Sequence, residues 1–323
     1  MISSRLGEKR RQPGSRDPDG EPEQKIALES DHADRSLKAM RNALTRHWPE
    51  YLMEAAGLAI FMISAYVFVV ILEHPASPAR QAIPDPFARR VLTGLAMGLT
   101  AVAIIYSPWG KQSGAHINPS VTVTFFRLGK VKLWDAIFYV VSQLIGGIAG
   151  MLIAAAALGT SIAHPSVNYA VTVPGTAGPG VAFLAEFGIS FGLMLTVLAA
   201  SNTYRLAPLT GLFAGTLVAT YITLEAPLSR MSMNPARTLG SAVPAQVWTA
   251  LWIYFTAPLL GMLLAAEVYL RLKGADKILC AKLHHRNSTR CIFRCGYNNW
   301  VQDTGVGQDD SGVHRSCRLG PRP

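Results

Sequence analysis

Apolar and polar positions along this chain fall in long blocks rather than alternating residue by residue. Six apolar runs, at about Tyr51–Leu72, Val91–Tyr106, Leu133–Leu158, Val181–Ala200, Leu209–Leu224 and Val247–Leu270, are divided by polar or Pro/Gly-rich segments. Each approaches or exceeds the ~20 residues a helix needs to cross a ~30 Å hydrocarbon layer. A helix satisfies its own backbone groups, which lipid cannot do. Trp48, Trp134 and Trp248 stand near run ends, where amphipathic rings favour a membrane interface. Two shorter runs break the pattern. One follows Asn118-Pro119-Ser120 and the other follows Asn234-Pro235-Ala236. Pro suits a first helical turn, where its missing N–H has no partner to lose, and Asn before it is a good N-cap. The first short run stops at Leu128, before Gly129 and Lys130. About ten residues at ~1.5 Å each reach only halfway through the hydrocarbon. The pattern predicts an all-α membrane protein with six transmembrane helices plus two re-entrant half-helices.

The two halves repeat. Leu92-Thr-Gly-Leu-Ala-Met-Gly98 is echoed by Leu209-Thr-Gly-Leu-Phe-Ala-Gly215, and Phe138-Tyr-Val-Val-Ser-Gln-Leu-Ile-Gly146 by Ile253-Tyr-Phe-Thr-Ala-Pro-Leu-Leu-Gly261. Glu54 in the first run matches Glu186 in the fourth. Repeat one covers about 50–158 and repeat two about 181–271. Each holds three spans, an odd number, so the second enters the membrane from the opposite side. In such inverted repeats the functional site lies where the halves meet, which sets Asn118 opposite Asn234. The recurrent glycines Gly94, Gly98, Gly146, Gly150, Gly211 and Gly215 mark close helix contacts.

Charge adds orientation. The chain of 323 residues is 50% hydrophobic, only 15% charged, and carries a net charge of +10. Lys and Arg concentrate in the two tails, flanking the apolar runs. The tendency of basic residues to remain cytoplasmic explains this better than nucleic-acid binding, which is excluded. Three segments follow: a polar cytoplasmic tail, 1–46, expected to be disordered and to turn helical near Leu37–Leu44; a channel domain, 47–272; and a cytoplasmic tail, 273–323. The first segment lacks a signal peptide's apolar core. Both termini are placed in the cytoplasm and the spans in the plasma (inner) membrane. No His/Asp/Ser or metal constellation occurs within the spans, so the chain is not read as an enzyme.

Ser113-Gly-Ala-His-Ile-Asn-Pro-Ser-Val-Thr122 and Asn234-Pro-Ala-Arg237, each in a matching half, resemble the major intrinsic proteins, the aquaporin family. The resemblance covers about 50–271 and neither tail. It implies homotetramers that pass water and small neutral solutes such as glycerol, ammonia or peroxide through the lipid bilayer without a cofactor. The Asn-Pro motifs Asn118, Pro119, Ser120, Asn234, Pro235 and Ala236 would line the pore. Glu54 and Glu186, with His116, would support the re-entrant loops. The selectivity filter would be Met97, Ile222, Met231 and Arg237, with Gly98 as the alternative to Met97. Water-selective members place an aromatic and a His at the first two positions, and glycerol facilitators carry Asp where this chain has Thr238; this filter resembles neither. An ion- or proton-coupled secondary transporter also uses inverted repeats and broken helices. Few acidic residues in the spans beyond Glu54 and Glu186 argue against it.

The cysteines, Cys280, Cys291, Cys295 and Cys317, all lie in the C-terminal tail, so no disulfide framework holds the spans. Cys280, His284, Cys291 and Cys295 have the ligand types of a zinc or iron–sulfur site, with His285 as the alternative histidine. Metal binding would fold the segment into a compact knob beneath the pore; a metal-free, redox-sensitive tail is the other reading.

Overall fold

The computed structural model describes residues 20–285 and 287–297, with side chains from residue 34 onward. The expectations for residues 1–19 and for Cys317 lie outside the described residues. The chain divides into two units, 1–43 and 44–323. In the first, the described backbone is helical from Gly20, as the start of helix α1 (Gly20–Glu73). This corrects the expectation of disorder for the described part of 1–46. Between Pro22 and Pro49 the sequence has no Gly or Pro, and it is rich in Ala, Leu, Lys, Glu and Arg, the strongest helix formers. Propagation also costs less than nucleation, so polar sequence joined to a membrane helix continues it readily.

The second unit contains the rest of α1, then α2 (Pro78–Ala82), α3 (Pro86–Tyr106), α4 (Pro108–Ser113), α5 (Pro119–Arg127), α6 (Leu133–Leu158), α7 (Pro179–Ser201), α8 (Thr210–Ser229), α9 (Pro235–Ala245) and α10 (Leu251–Lys273). No strand occurs among the described residues. Among the described residues, six helices, α1, α3, α6, α7, α8 and α10, are long and apolar enough to cross a membrane. The protein is a multi-pass membrane protein. An even number of spans puts the start of the bundle and the end of α10 on one side, the tail side. The half-helices are α5 and α9, of nine and eleven residues.

Local chemistry sets the boundaries. Asp85 caps α3 by accepting from the Phe87 and Ala88 N–H groups, with Pro86 in the first turn. Ser107 does the same for α4, accepting from Gly110. The last span begins at Leu251, four residues after the apolar run starts. Gln246 and Ala250 take left-handed backbone there, with φ of 54° and 50°, and so break α9 from α10. Span α8 runs on to Ser229 and takes Glu225 into the bundle.

The repeated glycines hold the halves together. Helix α3 packs on α8, and a Cβ placed on Gly98 would sit 2.5 Å from the Gly215 carbonyl oxygen. Gly146 of α6 meets the Ala55 backbone of α1, and its repeat mate Gly261 of α10 meets the Phe187 backbone of α7. Without a hydrophobic force between helices in lipid, such backbone approach is what packs them. After α10 the chain folds back on the tail side as an irregular segment whose apolar side chains Ile278, Leu279, Leu283, Phe293 and Tyr297 are buried.

Candidate functional site

Two loops, 113–118 and 229–234, lead into the half-helices and are built alike. Gly114, Ala115 and Ile117 have φ of 100°, 54° and 40°; Arg230, Met231 and Met233, at the same offsets from the second Asn, have 65°, 46° and 54°. Five of these six are not glycine, so the conformation is unfavourable locally and has to be imposed from outside. In each loop one buried carboxylate imposes it. Glu54 accepts from Ser113 Oγ (2.7 Å), His116 N (3.0 Å), Ile117 N (2.6 Å) and Gln143 Nε2 (2.8 Å). Glu186 accepts from Ser229 Oγ (2.6 Å), Ser232 N (2.7 Å) and Met233 N (2.7 Å). Tyr139 and Tyr254 close the matching turns, donating to the Ser113 and Ser229 carbonyls at 2.6 and 2.7 Å. The tyrosine pair stands inside the sequence repeat but its role was not read there. Gln143 and Glu225 also escaped the sequence reading; Ser229 Oγ bonds to Glu225 as well as Glu186.

The loops meet through their asparagines. Asn118 Oδ1 accepts from Ser120 N, and Asn234 Oδ1 accepts from Ala236 N and Arg237 N, so both are N-caps. Asn118 Nδ2 donates to the Met233 carbonyl at 2.7 Å, and Asn234 Nδ2 donates to the Ile117 carbonyl at 2.8 Å. The two bonds cross between the halves. A carboxamide nitrogen has two N–H donors, so each Asn keeps one beyond this pair. Both asparagines line a cavity of about 730 Å³. The N-termini of α5 and α9, the positive ends of their dipoles, converge on it.

Met97, Ile222, Met231 and Arg237 all line the same cavity. Gly98 packs against Gly215 instead. Arg237 Nη1 lies 3.4 Å from Ser241 Oγ, and among the described residues no carboxylate forms an ion pair with it. Its charge therefore stays open to the cavity. At the end away from the tails the cavity is bordered by Glu73, Arg89, Arg90 and Arg230; at the tail end it is bordered by Ile105 and Leu283. His116 borders the cavity, but its ring is not a lone ionisable group there. Its Nδ1 is 3.1 Å from Thr122 Oγ1 and its Nε2 2.8 Å from the Ala281 carbonyl, so both ring nitrogens are engaged.

The tail cysteines gather, with one change of ligand. Cys280, His285, Cys291 and Cys295 bring their ligand atoms within 4.8 Å of one another. His284 was preferred in the sequence; its ring instead packs edge-on against Tyr106, 5.0 Å away. Adjacent side chains diverge, and stacking on Tyr297 at 4.2 Å turns His285 inward. The three described cysteines form no disulfide. Hydrogen bonding from Cys280, then from Cys295 and His285, holds the Cys291 thiol far below the usual thiol range, against the opposing effect of burial. This group could hold a metal ion.

Comparison with known proteins bears on the whole arrangement. The major intrinsic protein family model matches residues 44–269. Aquaporin NIP6-1 of Arabidopsis thaliana is 39% identical over 170 residues, covering 52% of this chain and 54% of that protein. Aquaporin NIP3-1 of Zea mays is 39% identical over 195 residues, covering 60% and 61%. The match thus spans less than two thirds of the length of these relatives. Among solved structures, the aquaglyceroporin from Plasmodium falciparum superposes with a TM-score of 0.55 at 19% identity, over 68% of this chain and 94% of that one. That likeness concerns the fold.

Proposed function

Since the chain belongs to the major intrinsic protein family, we propose that it is a passive channel for water and small neutral solutes, closed to ions and protons. The crossed asparagine pair carries the reading. Each amide spends one N–H on the opposite loop, which fixes its orientation, and the other is left for a passing oxygen. A solute file held from both halves at one point is turned there. Converging dipole ends and the unpaired Arg237 oppose cations; pores of the aquaporin type are a standing example of such a barrier. The filter is Met97, Ile222, Met231 and Arg237. It has two thioethers and one aliphatic wall against a single strong donor, which favours amphipathic solutes over water alone.

The basic tails support a cytosolic tail side in the plasma membrane, and the family supports a homotetramer. A proton-coupled transporter is the second reading. Glu225 favours it, since its second oxygen is buried with no hydrogen-bond partner beside Glu186. Against it, Glu186 and Glu54 are committed to holding loops. Stopped-flow light scattering on proteoliposomes, across water, glycerol, ammonia, hydrogen peroxide and a metalloid acid, tests both. Flux that tracks only the solute's own gradient is expected. Flux driven by an imposed proton gradient overturns the channel.

A further inference from the structure

We propose that Cys280, His285, Cys291 and Cys295 bind a single zinc-class ion, and that the ion locks Leu283 across the tail end of the channel. The closure rests on the channel reading; the metal site does not.

The ligand set is three thiols and one imidazole, the composition of closed structural zinc sites. In a tetrahedron with Zn–S of ~2.3 Å, two sulfurs stand about 3.8 Å apart; Cys280 Sγ and Cys291 Sγ are 3.6 Å apart. The corresponding N···S edge is about 3.5 Å, and His285 Nε2 is 3.0 Å from Cys295 Sγ, a gap that a small outward shift opens. All four ligand atoms lie within 4.8 Å of one another, which suits one ion and is too tight for the wider ligand spread of a multi-iron cluster. The His285 ring is fixed by its stack on Tyr297.

The segment these ligands tie together is anchored around the channel mouth. Thr289 Oγ1 donates to the Lys111 carbonyl at the end of α4, and Arg294 N donates to the Lys130 carbonyl in the turn after α5. Leu279 N donates to Asn202 Oδ1 and Tyr297 OH to the Ser201 carbonyl at the end of α7. Arg290 pairs with the fully buried Glu50 of α1. One short segment therefore bridges α1, α4, the turn after α5 and α7, and Leu283 within it borders the cavity. There Leu283 is buried, lines the cavity, and donates its N–H to the Gly114 carbonyl at 3.1 Å. Phe293 stacks on His116 with centroids 5.3 Å apart, so the plug also grips the loop that presents Asn118. Cys280 stands three residues before Leu283, His285 two after it. Removing the ion releases both flanks of the plug, because in small sites of this kind ligation energy is folding energy.

The test uses the full-length protein in proteoliposomes. Elemental analysis of protein purified without chelator should give about one zinc per chain, and Cys291→Ser/Cys295→Ser should lose it. A membrane-permeant chelator should raise solute flux severalfold, and added zinc should reverse the rise. Leu283→Gly should conduct at the chelated level while keeping its metal, which separates the plug from the site. A metal-free parent whose thiols titrate freely, or a Cys280–Cys291 disulfide in the purified protein, overturns the site. Equal flux with and without metal overturns the closure. No flux from any form, Leu283→Gly included, overturns the closure by removing the channel itself, and the zinc content then decides the site by its own measurement.

Discussion

At the scale of single residues, the site rests on buried carboxylates that hold its two loops. Glu54 takes four donors, so replacing one of its oxygens with an amide leaves two of them facing another donor. Each buried unsatisfied group costs about 1–3 kcal/mol. Glu54→Gln should therefore lower stability by roughly 2–6 kcal/mol, read as a clear fall in melting temperature in detergent; an unchanged melt means the loop is held by something else. Arg237 is predicted to act on charge rather than on shape. Arg237→Val should admit protons in a pH-dye liposome assay while neutral-solute flux persists, and a folded variant with no added leak removes Arg237 from the filter. Ile222 lines the cavity. With a hydrogen-bonding ring in its place, Ile222→His should lower the ratio of glycerol to water flux, and a ratio that stays the same speaks against Ile222 as a filter wall.

At the scale of elements, helix approach and helix capping divide the work. The α3–α8 contact has no room at Gly98, where any Cβ meets the Gly215 carbonyl. Overpacking there should cost about 1–3 kcal/mol, so Gly98→Val should reduce the yield of folded protein on gel filtration, whereas Gly129→Ala, in open space though at φ of 70°, should leave the bundle assembled. The sequence showed the six spans and both half-helices because each follows from local pattern: long apolar runs, Asn-Pro starts, glycine stops. It missed where α10 begins, since the left-handed residues Gln246 and Ala250 are not types that announce such backbone. It also missed the continuation of α1 into polar sequence. A tail rich in charge satisfies the composition of disorder and the propensity of a helix equally well.

At the scale of the whole molecule, the lipid-facing surface carries exposed leucines on several spans, among them Leu52, Leu99, Leu152 and Leu184. The inference of a homotetramer predicts that part of this surface is shared between copies. Native mass spectrometry from mild detergent should show four chains, and a monomer at every concentration tested would retire that expectation. Orientation is checked separately: a cysteine introduced on the exposed tail as Lys277→Cys should react with a reagent that does not cross membranes only in inverted vesicles.

The sequence by itself determined the architecture and picked out the polar residues that meet at its centre. Apolar block length, the doubled Asn-Pro motif, the matched Glu54 and Glu186, and Arg237 are all readable because membrane insertion and helix initiation depend on neighbouring residues. It did not determine which histidine joins the cysteines, that Glu225 shares Ser229 with Glu186, or that Leu283 ends up at the tail end of the cavity. Those depend on contacts between positions far apart in the chain, such as Leu283 with Gly114, Arg290 with Glu50 and Thr289 with Lys111. Spacing in the sequence favoured His284, with His285 as the alternative; only the folded tail, with Tyr297 beneath one ring and Tyr106 beside the other, reversed that order.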